Sequence, residues 1–153
     1  RKDRRVSSGI AQDFNEYVSF KLKFLIGYMK AKTFPKATLE KIQKERMLGI
    51  RAGTNSEHKI IGIWVVTVNG RVFVRSWTRK PRSWWRTFLE DPNGTIYVAG
   101  SKRGIKVRAI QVKDKDLNDL VTKAYKEKYN KPGDIQYVVQ KSPRETTTEL
   151  VVR

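Results

Sequence analysis

Hydrophobic positions change their period several times along this chain, and each change marks an element. From Ser8 to Ala31, Ile10, Phe14, Tyr17, Val18, Phe24, Leu25 and Tyr28 recur at helical spacing, which predicts an amphipathic helix. Thr33–Phe34–Pro35 breaks it, and a shorter helix carrying Leu39 and Ile42 is expected over Ala37–Arg46. The period then drops to that of strands. Leu48–Ala52 is the first, followed by the turn-rich loop Gly53–His58. Ile60–Val68 is apolar on both alternations, with Ile61, Ile63 and Val65 against Trp64, Val66 and Val68. Such a strand is expected to be covered on both faces. Asn69–Gly70 is the two-residue hairpin turn, because both central positions need positive φ. Arg71–Trp77 returns with Val72, Val74 and Ser76 on one face and Phe73, Arg75 and Trp77 on the other. The arginine on that second face requires an anion, water or a carboxylate.

A short helix is expected at residues 82–90, stopped by Asp91–Pro92–Asn93–Gly94. Strands Thr95–Ala99 and Ile105–Val112 follow, joined by Gly100–Gly104, with Ile105, Val107 and Ala109 on one side and Lys106 and Arg108 on the other. Asp114 or Asp116 caps a helix running to about Asn130, whose buried stripe is Leu117, Leu120, Val121, Ala124 and Tyr125. Lys131–Pro132–Gly133 ends it. Ile135–Gln140 and Thr146–Val152 read as short strands, the last closing a sheet. Antiparallel strands with one helix inserted after the third and another near the end predict a closed or partly closed barrel.

Charge widens the picture. Lys and Arg number 33 against 15 Asp and Glu, a net +18 that attracts polyanions, anionic membranes and phosphorylated ligands. The excess is spread along the whole chain, so it equally suits general solvation. The absence of cysteine excludes disulfides, thiolate metal sites and a cysteine nucleophile, and a cytoplasmic location is the expectation. His58 is the only histidine and lies in a turn-rich loop, so it reads as exposed and no multi-histidine metal site exists. No metal is expected. No apolar run has the length of a membrane span, while the first, basic amphipathic helix has the composition for peripheral contact with an anionic membrane. The sequence opens at Arg1, which leaves a preceding leader open.

The densest chemistry lies in Val72–Pro92. Arg71 to Arg86 holds six basic residues and no acid, interleaved with Trp77, Trp84 and Trp85. Cations beside a helix start make an anion site, and indoles give flat stacking surface. A planar, phosphorylated small molecule fits that composition, and so does single-stranded nucleic acid. Burial of a short helix through Trp84, Trp85, Phe88 and Leu89 fits it as well. A second basic segment, Lys102–Lys113, has five basic residues and no acid. No recognised nucleic-acid motif is present, so only weak, salt-labile binding to DNA or RNA is expected. No pair of carboxylates is placed for acid–base work, and no catalytic residue is assigned.

Four segments, Ile63–Val66, Val72–Ser76, Trp84–Arg86 and Ala124–Tyr129, with the closing Thr147–Val151, resemble the recurring pattern of a family of uncharacterised bacterial proteins. The likeness covers roughly Thr33 to Arg153. The same stretch is distantly similar to the deazaflavin-dependent nitroreductases of the flavin-binding split barrels, through Ser76, Lys80, Trp84, Trp85 and Pro92. The resemblance implies an α+β, mainly β fold: a split β-barrel of the FMN-binding type with flanking helices, as a homodimer. It divides the chain into a basic amphipathic helical extension, residues 1–32, and a barrel domain, residues 33–153. It also implies FMN or a deazaflavin as cofactor and an oxidoreductase activity. Arg75, Ser76, Lys80, Arg82 and Arg86 would hold phosphate, and Trp77, Trp84 or Trp85 would border the ring. Thr78 and Arg79 replace two glycines that the nitroreductases carry after the serine. That replacement motivates the alternative, a barrel without cofactor that acts as a binding or interaction module.

Overall fold

The computed structural model describes residues 13–19, 21, 32–55, 57–77, 83–138, 140 and 142–153. The chain divides into two compact units, Arg1–Lys32 and Thr33–Arg153. In the first, residues 13–19 are helical, with Phe14, Tyr17 and Val18 exposed. The remainder of the helix expected over Ser8–Ala31 lies outside the described residues.

The second unit begins with α1 (Lys36–Lys44), which starts behind Pro35 and buries Ile42. Seven strands then form one antiparallel sheet: β1 (Leu48–Ala52), β2 (Ile61–Ile63), β3 (Val65–Val68), β4 (Arg71–Val74), β5 (Asn93–Tyr97), β6 (Ile105–Gln111) and β7 (Thr148–Val152). Helix α2 (Trp84–Glu90) separates β4 from β5, and α3 (Lys115–Lys128) with the single turn α4 (Ile135–Val138) separates β6 from β7. The order across the sheet is β2-β1-β5-β6-β7-β4-β3. Its two edge strands, β2 and β3, are joined in the chain by Trp64 alone. The sheet therefore curls until its edges meet, giving the expected α+β split barrel with flanking helices.

That junction corrects the sequence expectation for Ile60–Val68, which is not one strand covered on both faces. Ile63 pairs with Leu48 of β1, whereas Val65 pairs with Val74 of β4. Two partners on different sides force a bend at Trp64. Only the β3 half is covered twice: Val65 joins the barrel core and Val66 faces α3, both fully buried, while Ile60 and Ile61 are exposed. The barrel interior is filled by Leu48, Ile50, Ile63, Val65, Val72, Val74, Ile96, Val107 and Leu150, closed at its ends by Phe34, Ile42, Trp84 and Phe88. A second cluster lies outside the barrel wall, where Val66 and Phe73 pack beneath Val121, Tyr125 and Tyr129.

Other differences are local. Asn93–Gly94, expected as part of a stop, opens β5 instead, and a Cβ on Gly94 would lie 2.7 Å from the Phe88 ring. In α3 the buried stripe includes Asn118 in place of Leu120, which is exposed. Where a strand was expected over Ile135–Gln140, Ile135–Val138 form the helical turn α4. The Asp134 carbonyl accepts from both Tyr137 and Val138 amides, and this local bonding prevails over the β preference of the sequence.

Candidate functional site

The site grows from the bend. Because β3 turns away at Trp64, β4 loses its partner after Val74, and Arg75, Ser76 and Trp77 run on past the end of the ladder. The gap between that overshoot and β2 is a cavity of about 430 Å³. Ile61–Trp64 and Met47 line one side, Arg75–Trp77 the other, with Trp84 and Tyr137 completing the wall. The surface is mostly apolar and aromatic with few polar groups, which is the usual make-up of a small-molecule pocket.

The bend itself is held by α3. Tyr125, Lys128 and Tyr129 lie at i, i+3 and i+4, one face of the helix. The Tyr129 hydroxyl accepts from the Val65 amide at 2.9 Å and donates to the Arg46 carbonyl at 2.6 Å. The Lys128 ammonium donates to the carbonyls of Val65 at 2.8 Å and Ile42 at 3.0 Å. The Tyr125 hydroxyl donates to the Trp64 carbonyl at 3.3 Å. Backbone groups that the ladder cannot satisfy at the bend are thus met by side chains. Burial pulls the Lys128 ammonium down to about 8 and pushes the Tyr129 phenol up to about 12. Tyr125, fully enclosed, is raised further for the same reason.

Trp64 stacks on Tyr129 with ring centres 4.3 Å apart and planes at 8°. Trp77 meets it edge-on at 5.5 Å and packs on Tyr125 at 5.4 Å. The Arg46 guanidinium lies 5.3 Å from the Trp64 ring centre and is paired with Asp134. Two of the three indoles at the cavity wall, Trp64 and Trp77, are therefore fixed from behind by a continuous aromatic cluster.

Arg75 departs from expectation. It is buried, and among the described residues its side chain is met by a hydroxyl and a backbone carbonyl. Nε donates to the Thr147 hydroxyl at 2.8 Å and Nη2 to the Asn118 carbonyl at 3.0 Å, with the guanidinium 5.5 Å from the Tyr125 ring. Burial lowers its pKa to about 10, and Arg144 adds to the effect. The Ser76 amide donates to the Thr146 hydroxyl at 2.8 Å. The Trp77 indole N–H donates to the Tyr137 carbonyl at 2.8 Å.

Of the eight residues singled out from sequence, Arg75, Ser76, Trp77 and Trp84 come together on the cavity. Trp84 is also part of the barrel core. Trp85 points elsewhere, half-buried with its N–H on Gln111 at 2.8 Å, and Arg86 is exposed with its guanidinium 5.8 Å from the Trp85 ring. Lys80 and Arg82 lie outside the described residues. Met47, Trp64 and Tyr137 belong to the wall and were not singled out. A signal for Trp64 existed, since it is the one bulky aromatic within an otherwise aliphatic run. His58 is exposed, as expected. Among the described residues no group of His, Cys, Asp or Glu is placed to hold a metal ion, and no helix is long and apolar enough to cross a membrane.

Residues 38–150 match the model of a family described as an uncharacterized protein conserved in bacteria (DUF2255), and the chain belongs to that family. Comparison with curated proteins gives no match. A solved structure of a conserved hypothetical protein from Mycobacterium tuberculosis is similar at 12% identity and a TM-score of 0.55, over 80% of this chain and 82% of that one. An FAD-binding protein from Mesorhizobium loti is similar at 10% identity and a TM-score of 0.53, over 81% of this chain and 94% of that one. At such identities the likeness is one of fold.

Proposed function

We propose that the cavity at the Trp64 bend binds a planar cofactor of the flavin or deazaflavin class. The observation that carries this reading is the pocket itself, about 430 Å³ and walled by Trp64, Trp77 and Trp84. Indoles fixed from behind by Tyr125 and Tyr129 present flat surface to a ring without losing much side-chain freedom on binding. The FAD-binding neighbour of the same fold supports the class of ligand. Arg75 commits Nε and an Nη2 proton to Thr147 and Asn118, so the larger share of the phosphate would fall to Lys80 and Arg82, which the sequence places between two wall residues, Trp77 and Trp84. Such a cofactor would supply redox chemistry. This chain's part is to stack its ring, shield one face from water and hold its phosphate.

The test is titration of the purified protein with FMN, FAD, a deazaflavin cofactor and haem, following tryptophan fluorescence. Saturable quenching by a flavin or deazaflavin is expected, and Ile61→Trp, which fills the cavity from an exposed strand, should abolish it without loss of fold. The homodimer belongs to this reading, with Met47, Ile60 and Ile61 as exposed apolar residues beside the pocket. A clean monomer in light scattering would remove it.

One observation favours the competing reading of a module without cofactor. The polar groups of the overshoot, Arg75 and the Trp77 N–H, already have protein partners. Absence of quenching by all four compounds would select that reading.

A further inference from the structure

The outer wall of the barrel carries a second constellation, independent of the cavity at the bend. Arg51 of β1 pairs with Thr95 of β5, and Thr95 pairs with Lys106 of β6. The Arg153 amide donates to the Lys106 carbonyl at 3.0 Å, which places Arg153 beside Lys106 at the end of β7. Cross-strand partners share a face of the sheet. Arg51, Thr95, Lys106 and Arg153 thus form one row across four adjacent strands, on the outer face, since their neighbours Ile50, Ile96, Val107 and Val152 pack on the barrel core. A recess of about 330 Å³ lies over this row, with Gly53, Thr54 and Gly94 among its other walls.

Three basic side chains line the recess, with no acidic side chain beside them among the described residues. Like charges on neighbouring strands repel, and strands about 4.8 Å apart keep the row compact. The adjoining carboxylate, Asp91, is engaged by the Thr54 amide and hydroxyl, both at 2.8 Å, and by the Asn93 amide at 3.1 Å. Within the row, Arg51 Nε is buried with no acceptor among the described residues. A buried donor left without an acceptor is costly, and a charge-assisted bond to an anion removes the cost. Thr95 offers a hydroxyl between Arg51 and Lys106.

We propose that this recess is an anion site for a phosphate or diphosphate group, held by Arg51, Lys106 and Arg153. Its size suits a small phosphorylated molecule; a strand of nucleic acid would need a longer groove.

Isothermal titration of the full chain with inorganic phosphate, inorganic pyrophosphate and ADP tests it. Pyrophosphate should bind saturably at one site, and Lys106→Gln with Arg153→Gln should weaken it by about tenfold or more. Both side chains stand at the surface, so the fold is retained. Lys113→Gln with Lys123→Gln, which removes the same charge elsewhere, should leave affinity unchanged. ADP binding tighter than pyrophosphate would identify a nucleotide as the source of the phosphate, and equal affinity a bare phosphate group. No saturable binding, or equal loss in the control variant, would overturn the proposal. So would tight binding of a single-stranded oligonucleotide that pyrophosphate cannot displace.

Discussion

β2 and β3 are neighbours in the chain, alike in apolar content and opposite in surroundings. Ile61 is exposed, whereas Val65 and Val66, past a single tryptophan, are fully buried. The difference lies in what covers each strand. β3 has the barrel interior on one face and α3 on the other; β2 has the interior on one face and the cavity at its flank. Apolar sequence states that a strand can be buried. Whether it is depends on α3, an element far along the chain (Lys115–Lys128), and the uncovered half is where the site lies.

The comparison breaks most severely on the covered side. Phe73→Ala opens a void between β4 and α3, and a loss of about 3–5 kcal/mol is expected in urea unfolding. Tyr129→Phe keeps the stacking on Trp64 but strips the hydroxyl from the Val65 amide and Arg46 carbonyl. A loss of about 1–3 kcal/mol should follow, with faster amide exchange at Val65 as its local signature.

A pH series sharpens the comparison further. Lys128 has its pKa lowered from 10.5 to about 8 in the fold. Between those two values the unfolded chain binds more protons, so stability rises with pH through that interval. The rise should appear between pH 8 and 10 in the native protein and be absent from Lys128→Met. The same slope in both would show that Lys128 is not its source. The smallest effect belongs to the uncovered side: Ile61→Ser should change stability by no more than about 0.5 kcal/mol, while altering the wall of the cavity.

The β3–β4 hairpin was legible because Asn69 and Gly70 carry the turn in their own conformations, at φ 51° and 74°. The inward set of β6 and the Asp114 cap of α3 were legible for the same reason, each being decided within a few residues. The bend at Trp64 was not, because it is imposed by two pairing partners and three side chains of α3. Arg75 shows the same limit. Its alternation placed it on the face of Phe73 and Trp77, but its partners Asn118 and Thr147 are 43 and 72 residues away. Arg75, Ser76, Trp77 and Trp84 of the cavity wall were therefore readable as residue types, and the geometry only from long-range contacts.

The position of β7 has a consequence for how the molecule is made. β7 lies between β6 and β4 and pairs with both. Until residues 148–152 leave the ribosome, β4 and β6 each present an open edge and the barrel stays in two pieces. Nascent chains that stop short of β7 hold two unpaired strand edges able to capture other chains, so the barrel depends on prompt emergence of β7 or on a chaperone that shields those edges.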